Sequence, residues 1–214
     1  MQGQVKMLSD LHLLSFKDSL LMQPTERHPL QPFLPPNAQI LMLGSFPPPR
    51  KRWSMDFFYP NMQNDMWRIF GLLYFSDKEH FVDAAHKCFN QQLLEAFLRK
   101  KGVALYDTAC AVRRLQENAS DKFLEVVENT DVGQLLHALP QCRAIVTTGQ
   151  KATDTLRTTF QCAEPCVGHF TEFKFENRIM RLYRMPSSSR AYPLKVEKKA
   201  VFYGQMLRDM GLLS

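Results

Sequence analysis

Polar side chains follow four apolar runs of this sequence, and they are the residues best suited to do chemistry. They lie at residues 44–48, at Asp107, at residues 148–151, and at Ser187, Ser188 and Ser189. Each apolar run reads as a buried strand, and in parallel sheets ligands bind beyond the carboxyl ends of the strands. We therefore expect the four groups to meet at one edge of a sheet and form a single site.

Asn64 is the first candidate for a catalytic side chain. Its amide can orient a water molecule or hydrogen-bond a substrate. Asn64 also stands directly before an apolar helical run, where asparagine is a common helix N-cap. Both roles stay open, and they are compatible if the cap positions the amide.

Asp107 ends an apolar run, and an ionised carboxylate only accepts hydrogen bonds. It therefore suits a ligand that presents an N–H group. The alternative is that Asp107 caps the turn that follows the strand.

Two groups of residues have the chemistry to contact phosphates. The first comprises hydroxyl groups and an arginine, at Ser187, Ser188, Ser189 and Arg190. The second is the basic run Arg50, Lys51 and Arg52. Hydroxyls, backbone N–H groups and cations bind phosphate oxygens, but serine-rich turns and short charged runs are also common without a ligand.

Three adjacent aromatic residues, Phe57, Phe58 and Tyr59, precede Asn64. Such rings provide a surface on which a planar ligand stacks. They could equally form a lid that packs on the core.

The composition is compatible with a soluble nucleic-acid-binding domain. The net charge is +6, with a pI near 9.1, which suits a polyanionic partner. The five cysteines form no regular framework and no leader is recognisable, which favours a reducing cytoplasm. We interpret Cys162, Cys166 and His169 as ordinary thiols and a loop histidine, because no second ligand cluster accompanies them. No apolar run reaches the length of a membrane span.

Strand and helix patterns alternate, which predicts an α/β protein with three α/β/α layers and a small, mostly parallel central sheet of about four strands. Predicted strands cover residues 39–43, 103–106, 144–147, 171–175 and 178–183, the last two as a hairpin. We divide the chain into an N-terminal helix with an extended lead-in, residues 1–36, and a domain of residues 37–214, compact as a whole.

Helices are predicted between these strands. One covers residues 65–74, and a capping-box pattern at Ser76 and Glu79 predicts another to about residue 87. A third ends at Gly102, and two short helices follow Ser120 and Asp131. Two more helices are predicted. One follows Gly149 and runs to about Thr159, and the other runs from about Val196 to Gly211.

The four strand ends together resemble the uracil-DNA glycosylase superfamily, in particular its hypoxanthine-active branch. Residues 28–48, HPLQPFLPPNAQILMLGSFPP, resemble its first motif, and residues 58–67, FYPNMQNDMW, its aromatic pair before Asn-x-x-Trp. MPSSSRA, at residues 185–191, resembles its second motif, and VALYDTA and IVTTGQKA resemble the intermediate strand ends.

This resemblance implies a monofunctional DNA glycosylase that removes uracil or hypoxanthine from DNA, as a monomer and without a metal or organic cofactor. It implies catalysis by Asn64 with Ser188 near the leaving base. The implied base-binding residues are Gly44, Ser45, Phe46, Phe57, Phe58, Tyr59 and Asp107. The implied DNA-binding residues are Arg50, Lys51, Arg52, Ser187, Ser189 and Arg190.

The sequence departs from the superfamily pattern at several positions. Phe46 stands where uracil-removing branches carry a polar residue that handles water, which moves any chemistry onto Asn64. Asn61 and Met62 replace the usual His-Pro. One alternative is therefore a weakly active or inactive nucleic-acid-binding protein of the same fold, and another is an enzyme acting on free nucleosides or nucleotides.

Overall fold

The computed structural model describes residues 24–115 and 123–214. The helix predicted within residues 1–36 falls before residue 24, outside these ranges. The strands are β1 Thr25–Arg27, β2 Ile40–Gly44, β3 Val82–Asp83, β4 Cys88–Phe89, β5 Val103–Asp107, β6 Ala109–Arg114, β7 Leu124–Asn129, β8 Ala144–Thr147, β9 Phe170–Phe175 and β10 Arg178–Arg184. The helices are α1 Met66–Phe75, α2 Gln91–Lys101, α3 Val132–His137, α4 Gln150–Phe160 and α5 Val196–Asp209, with a 3-10 turn at Arg50–Arg52.

A five-stranded sheet forms the centre of the molecule, in the order β5-β2-β8-β10-β9. The first four strands are parallel, and β9 pairs antiparallel with β10 at the edge. Nearly every residue of β2, β5 and β8 is buried, although successive residues point to opposite faces, so both faces are covered. The predicted α/β class with a mostly parallel central sheet is confirmed, and all five predicted strands belong to this sheet, for which about four were expected. Each of the five predicted strands matches an observed one to within a residue at either end.

Helix α2 shows how local sequence sets an element's limits. The Asn90 side chain accepts a hydrogen bond from the Leu93 N–H at its start. Its end is Gly102, which has φ of 67° and would bring any Cβ within 2.7 Å of the Asn37 carbonyl oxygen. The helix stop predicted at Gly102 is confirmed.

The helix predicted from Ser76 to about residue 87 is wrong. Ser76 instead ends α1, because it has φ of 56° and its N–H bonds to the Leu72 carbonyl. The following residues turn into the short antiparallel pair β3 and β4. Glu79, the last residue of the Ser-x-x-Glu pattern, does not cap a helix. It forms an ion pair with Arg68 of α1.

A second, antiparallel sheet in the order β1-β6-β7 was not predicted. The short helix expected after Ser120 is wrong from Leu124 onward, where the chain is strand β7; residues 116–122 lie outside the described ranges. The helix after Asp131 is confirmed as α3, with the Asp131 carboxylate accepting from the Gln134 N–H. Phe46 packs against this second sheet through Ala109, Val112 and Leu124.

Candidate active site

A cavity of about 610 Å³ opens where strands β2, β5, β8 and β10 end, at the edge predicted from the sequence. It collects most of the predicted site residues. Those that line it are Gly44, Ser45, Phe46, Arg52, Phe58, Tyr59, Asn64, Asp107, Ser187, Ser188, Ser189 and Arg190. Thr148 and Gly149, at the end of β8, line it as well.

The strand floor of this cavity consists of Gly44 and Asp107, and it is supported by His28, which does not line the cavity itself. Gly44 and Asp107 are paired neighbours at the ends of β2 and β5. A Cβ atom at Gly44 would overlap Asp107 Oδ1, so only glycine leaves room for the carboxylate. The other oxygen, Oδ2, lies 2.8 Å from His28 Nε2. Among the described residues Oδ1 has no hydrogen-bond partner.

Aromatic rings surround this floor. The His28 ring lies 4.6 Å from Tyr106, 5.3 Å from Phe46 and 6.2 Å from Phe58, measured between ring centroids. Phe46 and Phe58 also line the cavity. The cavity therefore offers apolar ring surface beside one buried carboxylate, which suits a flat ligand with a polar edge.

Tyr59 presents its hydroxyl rather than only its ring. Its backbone has φ of 49°, an uncommon value for a side chain of this size. The hydroxyl lies 3.1 Å from Thr148 Oγ1, and the ring meets Trp67 edge-on. Burial, and secondly the charge of Asp107, raises the pKa of Tyr59, so the phenol stays protonated.

Asn64 lies one residue before Asp65, the N-cap of α1, so the helix-capping alternative is wrong in detail, although the side chain does bond to the helix start. Its Oδ1 accepts a hydrogen bond of 2.9 Å from the Met66 N–H at the start of α1. This bond fixes the amide so that Nδ2 is the remaining polar group, and Nδ2 has no partner in the described part of the chain. Asn64 lines the cavity, which leaves Nδ2–H available to a ligand.

A buried ion pair holds the loop wall of the cavity, which consists of residues 61–65 and 187–190. Lys199 of α5 is fully buried, and its Nζ lies 2.9 Å from Asp65 Oδ2 and 2.8 Å from the Ser189 carbonyl oxygen. Asp65 Oδ1 accepts from Arg190 Nε at 3.0 Å. Lys199 and Asp65 hold the loop wall from the side away from the cavity, whereas Arg190 lines the cavity.

The two parts of the loop wall also pair through their backbones. Asn64 and Ser189 form an antiparallel bridge, and the Asp65 N–H bonds to the Ser188 carbonyl at 2.8 Å. The Ser188 hydroxyl has no partner among the described residues, while Ser187 and Ser189 accept from backbone N–H groups. Arg190 is half-exposed at the mouth.

Three predicted site residues do not line this cavity. Phe57 packs in the core, with its ring centroid 5.2 Å from that of Phe33, whereas its neighbours Phe58 and Tyr59 line the cavity. Arg50 pairs with Asp56 and stacks on Trp53 in a neighbouring groove. Lys51 is exposed and lines neither space.

Two residues of the site were missed by the sequence reasoning, His28 and Lys199. Lys199 carried a usable signal, since it lies three residues after Val196 and four before Tyr203, on the apolar face of the final helix. A lysine there must be buried and needs a carboxylate partner. His28 carried no such signal, because it belongs to a proline-rich segment without periodicity.

No group of three or more histidine, cysteine or acidic side chains that could bind a metal occurs in residues 24–115 and 123–214. Cys162 and Cys166 are free thiols. Within those same ranges no helix has the length and apolarity needed to cross a membrane.

Comparison with known proteins rests on structure. No family model matches the sequence. No curated protein matches it either. The structure is similar to the solution NMR structure of a Methanosarcina acetivorans protein provisionally named as a uracil DNA glycosylase, with a TM-score of 0.59 at 21% sequence identity. The match covers 88% of this chain and 99% of that one. The chain therefore has a uracil-DNA-glycosylase-like α/β fold.

Proposed function

We propose that this protein is a monofunctional DNA glycosylase that hydrolyses the N-glycosidic bond of a deaminated base, uracil or hypoxanthine. The observation that carries the proposal is that one cavity contains both a hydrogen-bond donor and a hydrogen-bond acceptor that the protein itself does not use. Asn64 Nδ2–H is a donor and Asp107 Oδ1 an acceptor, and neither has a partner among the described residues. Uracil and hypoxanthine each present an N–H beside a carbonyl, the complementary pair.

The cavity suits a base taken out of the duplex. An extruded base needs ring surface on which to stack and groups that read its edge. Phe46 and Phe58 supply ring surface, and Asp107 accepts from the base N–H. The volume of about 610 Å³ admits a purine as well as a pyrimidine.

Asn64 acts on the leaving base in this proposal. Cleavage of an N-glycosidic bond builds negative charge on the base and positive charge on the sugar. An amide cannot take up a proton, but Nδ2–H can donate to a base carbonyl on which negative charge accumulates. Ser188 adds a neutral hydroxyl that can donate a second hydrogen bond.

The product is an abasic site with an intact strand. A lyase would need a lysine that reaches the sugar. No lysine of the described ranges lines the cavity, and buried Lys199 is engaged by Asp65 and the Ser189 carbonyl.

DNA contacts come from the cavity mouth. Arg52 and Arg190 line it together with the serine run, and these groups suit phosphates on either side of an extruded nucleotide. Binding that rests on such contacts weakens steeply as salt rises. A DNA affinity independent of salt would contradict this part of the proposal.

The test is base release from duplexes that contain uracil or hypoxanthine, detected as strand breaks after alkali. The decisive variant is Asn64→Asp, which keeps an oxygen to accept from the Met66 N–H but removes the Nδ2–H donor. We expect wild-type protein to release a base and Asn64→Asp to be slower by about 10²–10³-fold, the effect of removing one transition-state donor.

Asn90→Asp is the matched control for this variant. Asn90 does not line the cavity, and its Oδ1 likewise accepts from a backbone N–H at the start of a helix, that of Leu93 in α2. We expect a change of less than about threefold, because the proposed chemistry does not use its amide. Absence of release from either base at stoichiometric wild-type protein would reject the enzymatic proposal, and robust release by Asn64→Asp would reject the assignment of Asn64.

A further inference from the structure

His28 lies in the described lead-in segment just after β1, yet it reaches the strand floor of the cavity. Its side chain is 2% exposed. Three rings, those of Phe46, Phe58 and Tyr106, surround it. A polar side chain this deeply buried among rings requires partners for both of its ring nitrogens.

Both nitrogens have them. Nε2 lies 2.8 Å from Asp107 Oδ2, and Nδ1 lies 3.2 Å from the Leu30 backbone N and 3.0 Å from the Leu30 carbonyl oxygen. In a neutral ring Nδ1 accepts from the Leu30 N–H, and in a protonated ring it donates to the Leu30 carbonyl. In either state Nε2–H donates to Asp107, so Oδ2 is occupied.

The other carboxylate oxygen is held towards the ligand. Asp107 Oδ1 sits where a Cβ at residue 44 would be, and Asp107 lines the cavity. The Asp107 carbonyl is fixed as well, because it accepts from Thr130 Oγ1 at 2.7 Å. With its backbone and Oδ2 both held, the carboxylate cannot turn without breaking a buried hydrogen bond.

We propose that His28 is a positioning residue that sets base specificity, by engaging Asp107 Oδ2 and leaving Oδ1 as the acceptor that reads the base edge. This inference rests on the proposed function. A fixed carboxylate acceptor attracts a base with a ring N–H, as in uracil or hypoxanthine. It repels cytosine and adenine, which present a ring nitrogen lone pair at the corresponding position.

The test compares the affinity of the protein for duplexes that differ only at one position. That position holds uracil, hypoxanthine or adenine, each on a 2′-fluorinated sugar that resists cleavage of the N-glycosidic bond, or a tetrahydrofuran abasic analogue, which has no base to read. We expect wild-type protein to bind the uracil or hypoxanthine duplex more tightly than the adenine duplex. His28→Leu should reduce this preference by about tenfold, the effect of losing one charge-assisted buried hydrogen bond.

Two controls separate positioning from a structural role. His28→Gln keeps an N–H donor and should recover part of the preference. Affinity for the abasic duplex should be the same in all three proteins, because no base contacts Asp107 there. Thermal unfolding confirms that each variant is folded under the binding conditions.

The outcomes are distinct from those of the activity test, since binding is measured whether or not a base is released. A protein without glycosylase activity that still loses its base preference in His28→Leu would support the inference and reject the proposed reaction. An unchanged preference in His28→Leu would overturn the inference. So would an equal loss of affinity for the abasic and base-containing duplexes, or a wild-type protein without preference.

Discussion

The strand floor and the loop wall of the cavity each contain a buried carboxylate paired with a cation or an imidazole, but the two carboxylates are used differently. Both carboxylate oxygens of Asp65 accept hydrogen bonds from the protein, Oδ2 from Lys199 and Oδ1 from Arg190. In Asp107 only Oδ2 accepts such a bond, from His28, and Oδ1 remains available at the cavity. A carboxylate whose two oxygens both bond to the protein serves to hold the chain together, whereas one with an unbonded oxygen is available to a ligand.

Breaking the pair in the loop wall should have the largest effect, and it should fall on stability. Lys199→Met leaves Asp65 as a buried charge that has lost its principal partner, which costs about 3–5 kcal/mol in the free energy of unfolding. Urea denaturation measures this. Asp65→Asn/Lys199→Met removes both charges and keeps an oxygen for Arg190, so it should recover most of the loss. A double variant as unstable as the single one would mean that the ion pair is not what holds the loop wall.

Breaking the strand floor should instead affect recognition. Gly44→Ala inserts a methyl group into the space of Asp107 Oδ1, and His28 prevents the carboxylate from moving away freely. We expect single-turnover base release to slow by about 10–100-fold, the cost of a misplaced reading group, under conditions in which thermal unfolding shows that the variant is folded. Gly133→Ala in α3, away from the cavity, is the matched control and should retain full activity. Normal release by Gly44→Ala would show that Asp107 does not read the base.

The smallest effect concerns two phenols, those of Tyr74, which is partly buried against the core, and of Tyr106, which lies beside the strand floor. Burial raises the pKa of Tyr74 and of Tyr106 from 10.0 to about 12. Below pH 10 both the folded and the unfolded chain carry these protons, so these groups do not make the free energy of unfolding change with pH. Between pH 10 and 12 the unfolded chain loses the protons while the folded chain keeps them, and stability falls. Urea midpoints measured from pH 8 to 11 should stay constant up to about pH 10 and then decline. The decline should be shallower in Tyr74→Phe, and a wild-type midpoint that stays constant to pH 11 would contradict this.

Much of the fold was accessible from the sequence because its signals are local. Continuous apolar runs predicted the buried strands, and Gly102 and the Asp131 cap predicted helix limits. The edge at which the site lies followed from the strand order along the chain. Strands β6 and β7 were missed because they are partly exposed, and their apolar residues form neither a long run nor a clear alternation.

The partners within the site could not be predicted, because they are remote in the chain. His28 and Asp107 are 79 positions apart, and Asp65 and Lys199 are 134 apart. Nor does the sequence say which of two adjacent rings faces a cavity. Phe58 lines it and Phe57 packs in the core, yet both are phenylalanines in the same loop.

The bridge between Asn64 and Ser189 has a consequence for the order in which the molecule is built. During synthesis Asn64 and Asp65 are added early. Their partners Ser188 and Ser189 are added more than a hundred residues later, and Lys199 is added later still. Contacts of such sequence separation form late, because the loop they close must first be made. The central strands β2 and β5 can pair long before then. The loop wall is therefore among the last parts of the protein to take shape, and a growing chain has a sheet before it has the complete cavity.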